Sequence, residues 1–212
     1  MSNSLIDLKP VTLPFGKTVY QSNSGQGIST ESGELVKKIL DLECKEQLRV
    51  LELGSGSGII SLMIKHYKVD WDIIGIEIQK HLVEISRRNS ILAEETIVFQ
   101  EEDLRRFTDV KGFDLIITNP PYFKVSESRI SPNRERAISR HELFCELKDI
   151  LEAFNRNLND RGRAYFLYPE YREDELKKSA AGLNMKLDRI CEISSLKTTR
   201  VRIYRIMLND RI

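Results

Sequence analysis

Cysteine, histidine and long apolar runs are scarce in this chain, and each scarcity excludes a class of function. The three cysteines, Cys44, Cys145 and Cys191, lie far apart with no Cys-x-x-Cys spacing. An odd count so placed argues against a disulfide framework or a zinc site, and they read as buried, inert thiols. His66, His81 and His141 are equally scattered and read as helix-surface residues, so no metal is expected. No apolar run reaches the length of a membrane span, and the amino terminus lacks the basic start and apolar stretch of a signal peptide. The expectation is a cytoplasmic protein with no membrane partner. An excess of charge of either sign is also lacking: 33 basic residues face 32 acidic ones, for a net +1. A polyanionic partner must therefore be met by local basic patches, because there is no global field.

What is present fits one domain of 212 residues with an ample core, and a monomer is compatible with it. Residues 1–28 are polar, carry Pro10, Pro14, Gly16, Gly25 and Gly27, and read as a leader without regular pattern that covers part of the site. Residues 29–212 read as a single unit. A helix is expected from Ser29 or Thr30, with Leu35, Ile39, Leu40 and Leu42 along one face.

From there strands and helices alternate. Strands are expected at Arg49–Leu53, Ile73–Ile78, Thr96–Gln100, residues 114–118, Arg163–Tyr168, Leu187–Ile193 and Val201–Leu208. Helices are expected at Ile59–Tyr67, Leu82–Ala93, Glu142–Leu158 and Glu173–Gly182, with Gly182 as a C-cap. Near-continuously apolar strands alternating with helices imply an α/β, doubly wound, mostly parallel seven-stranded sheet, Rossmann-like. Two strands in succession at the end imply that the last is antiparallel.

Three constellations carry chemistry. The first strand runs into Glu52-Leu53-Gly54-Ser55-Gly56-Ser57-Gly58 and then a helix. Glycine at alternate positions permits positive φ and lets a ligand lie against the backbone, although a tight βα turn alone has the same look. Glu77, followed by Ile78, ends the second strand, where an acid can accept hydrogen bonds from ribose hydroxyls. Asp103, followed by Leu104, lies in a polar turn after the third strand; its carboxylate can accept from an adenine amine or cap a helix.

The third is Asn119-Pro120-Pro121-Tyr122, after the apolar run 114–118. The prolines end the strand and fix a rigid turn. An amide, backbone carbonyls and an aromatic ring then face outward, which suits a planar group bearing an NH2. Beyond it, residues 123–140 carry five bases, Lys124, Arg129, Arg134, Arg136 and Arg140, against two acids. Lys197, Arg200, Arg202 and Arg205 form a second basic run, and alternation sets Arg200, Arg202 and Tyr204 on one face of the final strand. Bases with an interleaved aromatic suit a phosphate backbone, or equally a solvated face.

The order of these motifs resembles the class I S-adenosylmethionine-dependent methyltransferases, in the branch whose fourth motif is Asn-Pro-Pro-Tyr. The likeness runs from about Tyr20 to Leu208. It implies that Glu52, Gly54, Ser55, Gly56 and Gly58 hold the methionine part of S-adenosylmethionine, Glu77 and Ile78 its ribose, and Asp103 and Leu104 its adenine. It also implies that Asn119 and Pro120 accept the hydrogens of the target amine, that Pro121 stiffens the turn, and that Tyr122 stacks on the target for roughly 1–3 kcal/mol. S-adenosylhomocysteine would be the product.

Asn133-Arg134, Arg136-Ala137 and Glu142, with the leader Gln21-Ser22 to Ser29-Thr30, look like the bacterial tRNA adenine-N6 methyltransferases. That resemblance implies tRNA as partner and an adenosine 3′ of the anticodon as target. The family commonly has an Asp in the helix opening near Ser32, which this chain lacks. Two alternatives stay open. A protein-glutamine N5 methyltransferase acting on release factors carries a helical domain for which this leader is short. A ribosomal RNA guanine-N2 enzyme shares the fourth motif.

Overall fold

The computed structural model describes residues 8–23, 30–121, 145–193 and 200–209. Its centre is a seven-stranded sheet of β3 (Arg49–Leu53), β4 (Asp72–Glu77), β5 (Val98–Glu101), β6 (Phe113–Thr118), β7 (Leu158–Pro169), β8 (Met185–Ile193) and β9 (Val201–Leu208). The order across it is β5-β4-β3-β6-β7-β9-β8. β3 to β7 are mutually parallel, and β9 lies antiparallel between β7 and β8. The chain winds outward from β3 in one direction and returns at β6 to wind in the other. The switch point, where ligands collect in open α/β sheets, therefore lies between β3 and β6.

Helices cover both faces, which is why the central strands read as continuous apolar runs. On one face, α1 (Thr30–Leu42), α2 (Ile59–Tyr67) and α3 (Lys80–Ala93) enclose a core that includes Leu35, Ile39, Leu62, Ile64, Trp71, Leu115 and Ile117. On the other, α4 (Leu147–Asn157) and α5 (Glu173–Gly182) pack Leu151, Phe154 and Leu176 against Leu51, Ile116 and Phe166. Each such fully buried aliphatic side chain contributes about 1.5–3 kcal/mol.

Several expectations are corrected. The leader contains an antiparallel hairpin, β1 (Leu8–Thr12) and β2 (Thr18–Ser22), turned at Gly16 with φ 86°. Its Leu13 and Val19 are buried in the first core. α1 uses Leu35, Val36 and Ile39 as its buried stripe and leaves Leu42 41% exposed. α4 starts at Leu147 because a capping box stops it there: Glu146 and Asp149 each accept the other's backbone N–H. Asn184, with φ 55°, is the left-handed residue after α5; Gly182 is still helical. Cys44, just past α1, is exposed; Cys145 is buried and Cys191 half-buried.

Candidate active site

The sheet register assembles the site. Leu53 pairs with Thr118 across β3 and β6, and with Ile76 across β3 and β4. Gly54, Asn119 and Glu77 therefore leave three adjacent strands at one level. The Thr118 hydroxyl donates to the Leu53 carbonyl at 2.8 Å, which ties the glycine loop to the Asn-Pro-Pro turn at their root. One cavity is lined by this loop, Glu77–Gln79, Glu102–Leu104, Asn119–Pro121, Ser32 and Gln21.

The loop's backbone requires its glycines. Gly54, Gly56 and Gly58 have φ of 68°, 55° and 82°. A Cβ on Gly56 would meet nothing within 4 Å, so its bare backbone borders open cavity, whereas one on Gly58 would strike the Phe99 ring at 2.7 Å. Two buried carboxyls stand around the loop. Glu52 accepts from the backbone N–H of Ser61 at 3.1 Å and from its hydroxyl, anchoring the first turn of α2. Burial pushes the Glu52 carboxyl up to about 8, against the pull of those Ser61 bonds, and Glu77 adds to the rise. Glu77 accepts from Gly56 N–H at 3.0 Å and Gln79 N–H at 2.9 Å, yet burial still raises it above the usual carboxylate range.

Asp103 lines the outer part of the cavity with Ile78 and Leu104. The Arg105 guanidinium grips both Asp103 oxygens, at 2.5–3.0 Å, and holds that carboxyl below its ordinary value. Asn119 donates its side-chain NH2 to the Ser32 hydroxyl of α1 at 3.0 Å. That bond turns the carbonyl half of the amide away from Ser32. Neither Ser32 nor Ser61 stands out in the sequence, because both gain meaning only through partners brought near by folding.

These residues fit a nucleoside that carries an amino acid, such as S-adenosylmethionine. Open glycine backbone, two buried acids and the Ser55 hydroxyl, which has no hydrogen-bond partner among the described residues, lie at the loop end, and apolar Ile78 and Leu104 beside Asp103 at the other.

Tyr122, Lys124, Arg129, Arg134, Arg136 and Arg140 lie outside the described residues. The basic run on β9 is not the free face expected. Arg202 is bound by Glu170 at 2.5 Å and Glu192 at 3.5 Å and is only 12% exposed. Arg200 is exposed and lies 3.9 Å from Glu192, and Arg205 pairs with Asp188 at 2.6 Å. Tyr204 is fully buried, donating to Glu173 at 2.8 Å. The reason is topological: β9 is an inner strand, so neighbouring elements supply the acids that its own segment lacks. Among the described residues, no group of three or more His, Cys, Asp and Glu side chains could hold a metal ion, and no helix is long and apolar enough to cross a membrane.

A parallel sheet with one antiparallel inner strand and glycine and Asn-Pro-Pro loops at its switch point defines the class I methyltransferase fold. Residues 26–138, more than half of the chain, match the family model described as methyltransferase small domain, and the chain belongs to that family. It is 24% identical over 185 residues to the tRNA1(Val) (adenine(37)-N6)-methyltransferase of Trichodesmium erythraeum, covering 84% of this chain and 75% of that one. With the enzyme of the same name from Porphyromonas gingivalis it shares 30% over 153 residues, 69% of this chain and 59% of the relative. A release factor glutamine methyltransferase of Flavobacterium psychrophilum is 24% identical over 81% of this chain and 65% of its own length. Among solved structures, the ribosomal protein L11 methylase of Lactobacillus delbrueckii subsp. bulgaricus aligns over 90% of this chain and 84% of its own, with TM-score 0.64 and 18% identity.

Proposed function

We propose that the protein transfers the methyl group of S-adenosylmethionine to the exocyclic N6 amine of an adenosine in tRNA, with S-adenosylhomocysteine as product. The observation that carries this reading is the register of Leu53 with Thr118, which sets Asn119 beside the glycine loop. The tRNA target is supported by the printed names of relatives at 24% and 30% identity.

When bound, the cofactor supplies an electrophilic methyl group on a sulfonium centre. This chain's part is to make a poor nucleophile attack. An adenine amine is weak because its lone pair is delocalised into the ring. The Asn119 side-chain oxygen and the Pro120 carbonyl accept its two N–H bonds, which favours a pyramidal nitrogen with its lone pair exposed. Ser32 holds the Asn119 amide in that sense by taking its NH2. The methyl group would pass to that exposed lone pair, and the nitrogen would release one proton to water. Holding the reactants in line supplies much of the rate. Glu77 would accept the cofactor's ribose hydroxyls, and Glu52, kept uncharged by burial, braces the turn from the glycine loop into α2 through Ser61. The hairpin of β1 and β2 forms part of the cover over this site.

A second reading, methylation of a release-factor glutamine, is favoured by the Flavobacterium relative. A glutamine amide presents the same planar NH2 to Asn119. Incubation with methyl-labelled S-adenosylmethionine and, in turn, tRNA, ribosomal RNA or release factor decides between them. Nucleoside mass spectrometry should find N6-methyladenosine in tRNA. Label in the release factor alone establishes the second reading, and N2-methylguanosine in ribosomal RNA overturns both.

A further inference from the structure

Gln21 occupies a core position of β2 without core chemistry. Strand alternation points it the same way as Val19, which is fully buried in the first core. The Gln21 side chain is itself only 2% exposed and lines the cavity. Neither its Oε1 nor its Nε2 has a hydrogen-bond partner among the described residues. A buried primary amide with both halves unmet is costly, and such groups point to a ligand that completes them.

Its place is fixed by the residue before it. Asn89 of α3, fully buried, accepts from Tyr20 N–H at 2.9 Å and donates to the Tyr20 carbonyl at 2.7 Å. The same amide donates to the Ser57 carbonyl at 2.9 Å. Asn89 thus stitches β2 to the glycine loop, and Arg88 over the Tyr20 ring at 4.8 Å adds to the hold. Gln21 is therefore tied toward the glycine loop, and it shares the cavity with Ser55, whose hydroxyl is likewise without a partner among the described residues. Ile78, Asp103 and Leu104 belong to the ends of β4 and β5 and mark the other side.

We infer that Gln21 is a specificity-determining contact for the α-amino-acid end of the methyl donor, an inference that rests on the cofactor reading above. A carboxylate and an ammonium on one carbon offer an acceptor and a donor side by side. A primary amide is the neutral side chain that answers both at once. The hairpin of β1 and β2 then checks that the ligand carries an amino acid and not adenosine alone.

The test compares two ligands without RNA: S-adenosylhomocysteine, and 5′-methylthioadenosine, which keeps the nucleoside and thioether but lacks the amino acid. Calorimetry on the full chain should show Gln21→Leu weakening S-adenosylhomocysteine about ten-fold, the loss expected for hydrogen bonds to charged groups. The methylthioadenosine constant should stay within about two-fold, the scatter allowed for an untouched contact. That second constant also certifies that the variant's pocket is folded, and Gln21→Met, closer in shape, should repeat the pattern. Equal losses for both ligands would make Gln21 a scaffold residue and overturn the inference. So would an unchanged S-adenosylhomocysteine constant, with or without a raised KM for tRNA. If the unaltered protein binds neither ligand, the cofactor reading itself fails.

Discussion

Glu52 offers a quantitative test because its proton is tied to folding. Burial lifts its carboxyl from about 4.5 to about 8, so across that interval the folded chain holds a proton that the unfolded chain releases. Each pH unit in the window then favours unfolding by about 1.36 kcal/mol. The sign follows: the stability that this group contributes is fully present below the unfolded value and is lost as pH rises through the folded one. Between pH 6 and pH 8 the loss amounts to about 2 kcal/mol, since the folded carboxyl begins to ionise only at the end of that range. Glu52→Gln keeps the shape of the neutral acid and an oxygen for the Ser61 N–H and hydroxyl. It removes the titration. Urea unfolding of both proteins at pH 6, 7 and 8, without ligand, should show the original losing about 2 kcal/mol more than the variant. Glu77, raised in the same direction by its own burial, titrates in both, so all but its charge coupling to Glu52 cancels in the difference. Parallel declines would refute the assignment of a buried, protonated Glu52.

Asn119→Ala should cut kcat at least a hundred-fold, the scale for removing one preorganised polar contact to the reacting group, while calorimetry finds S-adenosylhomocysteine binding intact. Ser32→Ala, which frees the Asn119 amide to turn, should lower kcat about ten-fold or less with that binding unchanged. Gly56→Ala forces an L-residue to φ 55° at a cost of about 1–2 kcal/mol, yet its methyl points into open cavity. A modest fall in Tm with a large loss of S-adenosylhomocysteine affinity is expected, and unaltered affinity would remove the loop from the site. Glu43, 1% exposed, binds the Arg163 guanidinium and accepts from the Tyr165 hydroxyl at 2.8 Å. Glu43→Ala should destabilise by about 3 kcal/mol and lower Tm by roughly 10 °C, with kcat per folded molecule unchanged.

The central sheet was legible because each of its signals is local. Arg49–Leu53 and Ile59–Tyr67 are strand and helix at the bounds read from the sequence, since an apolar run, a glycine turn and a second apolar run leave little else to form. The same holds for the glycine loop, Glu77 and the Asn-Pro-Pro turn, which come together because parallel strands end at one rim. The hairpin at residues 8–22 was not legible. Its strands are short and interrupted by Pro10, and they are held by Val19 in a distant core and by Asn89, 69 residues away. Capping likewise shortened α4, through a reciprocal Glu146–Asp149 pair that the apolar spacing does not register.

The basic run on β9 shows why charge along a segment is a weak guide to a nucleic-acid surface. Arg202 has no acid in its own strand, yet β7 leads into Glu170 and β8 supplies Glu192 opposite it. A guanidinium already held by two carboxylates must give up those bonds before it can take a phosphate. Arg200, exposed and 3.9 Å from its acid, gives up far less. If tRNA crosses this end of the sheet, Arg200→Ala should therefore raise the RNA dissociation constant and reduce its salt slope by about one. Arg202→Ala should instead lower Tm by freeing Glu170 and Glu192, with little change in that slope. Equal effects of the two on RNA binding would show that ion pairing within the sheet does not decide which cations meet the phosphates.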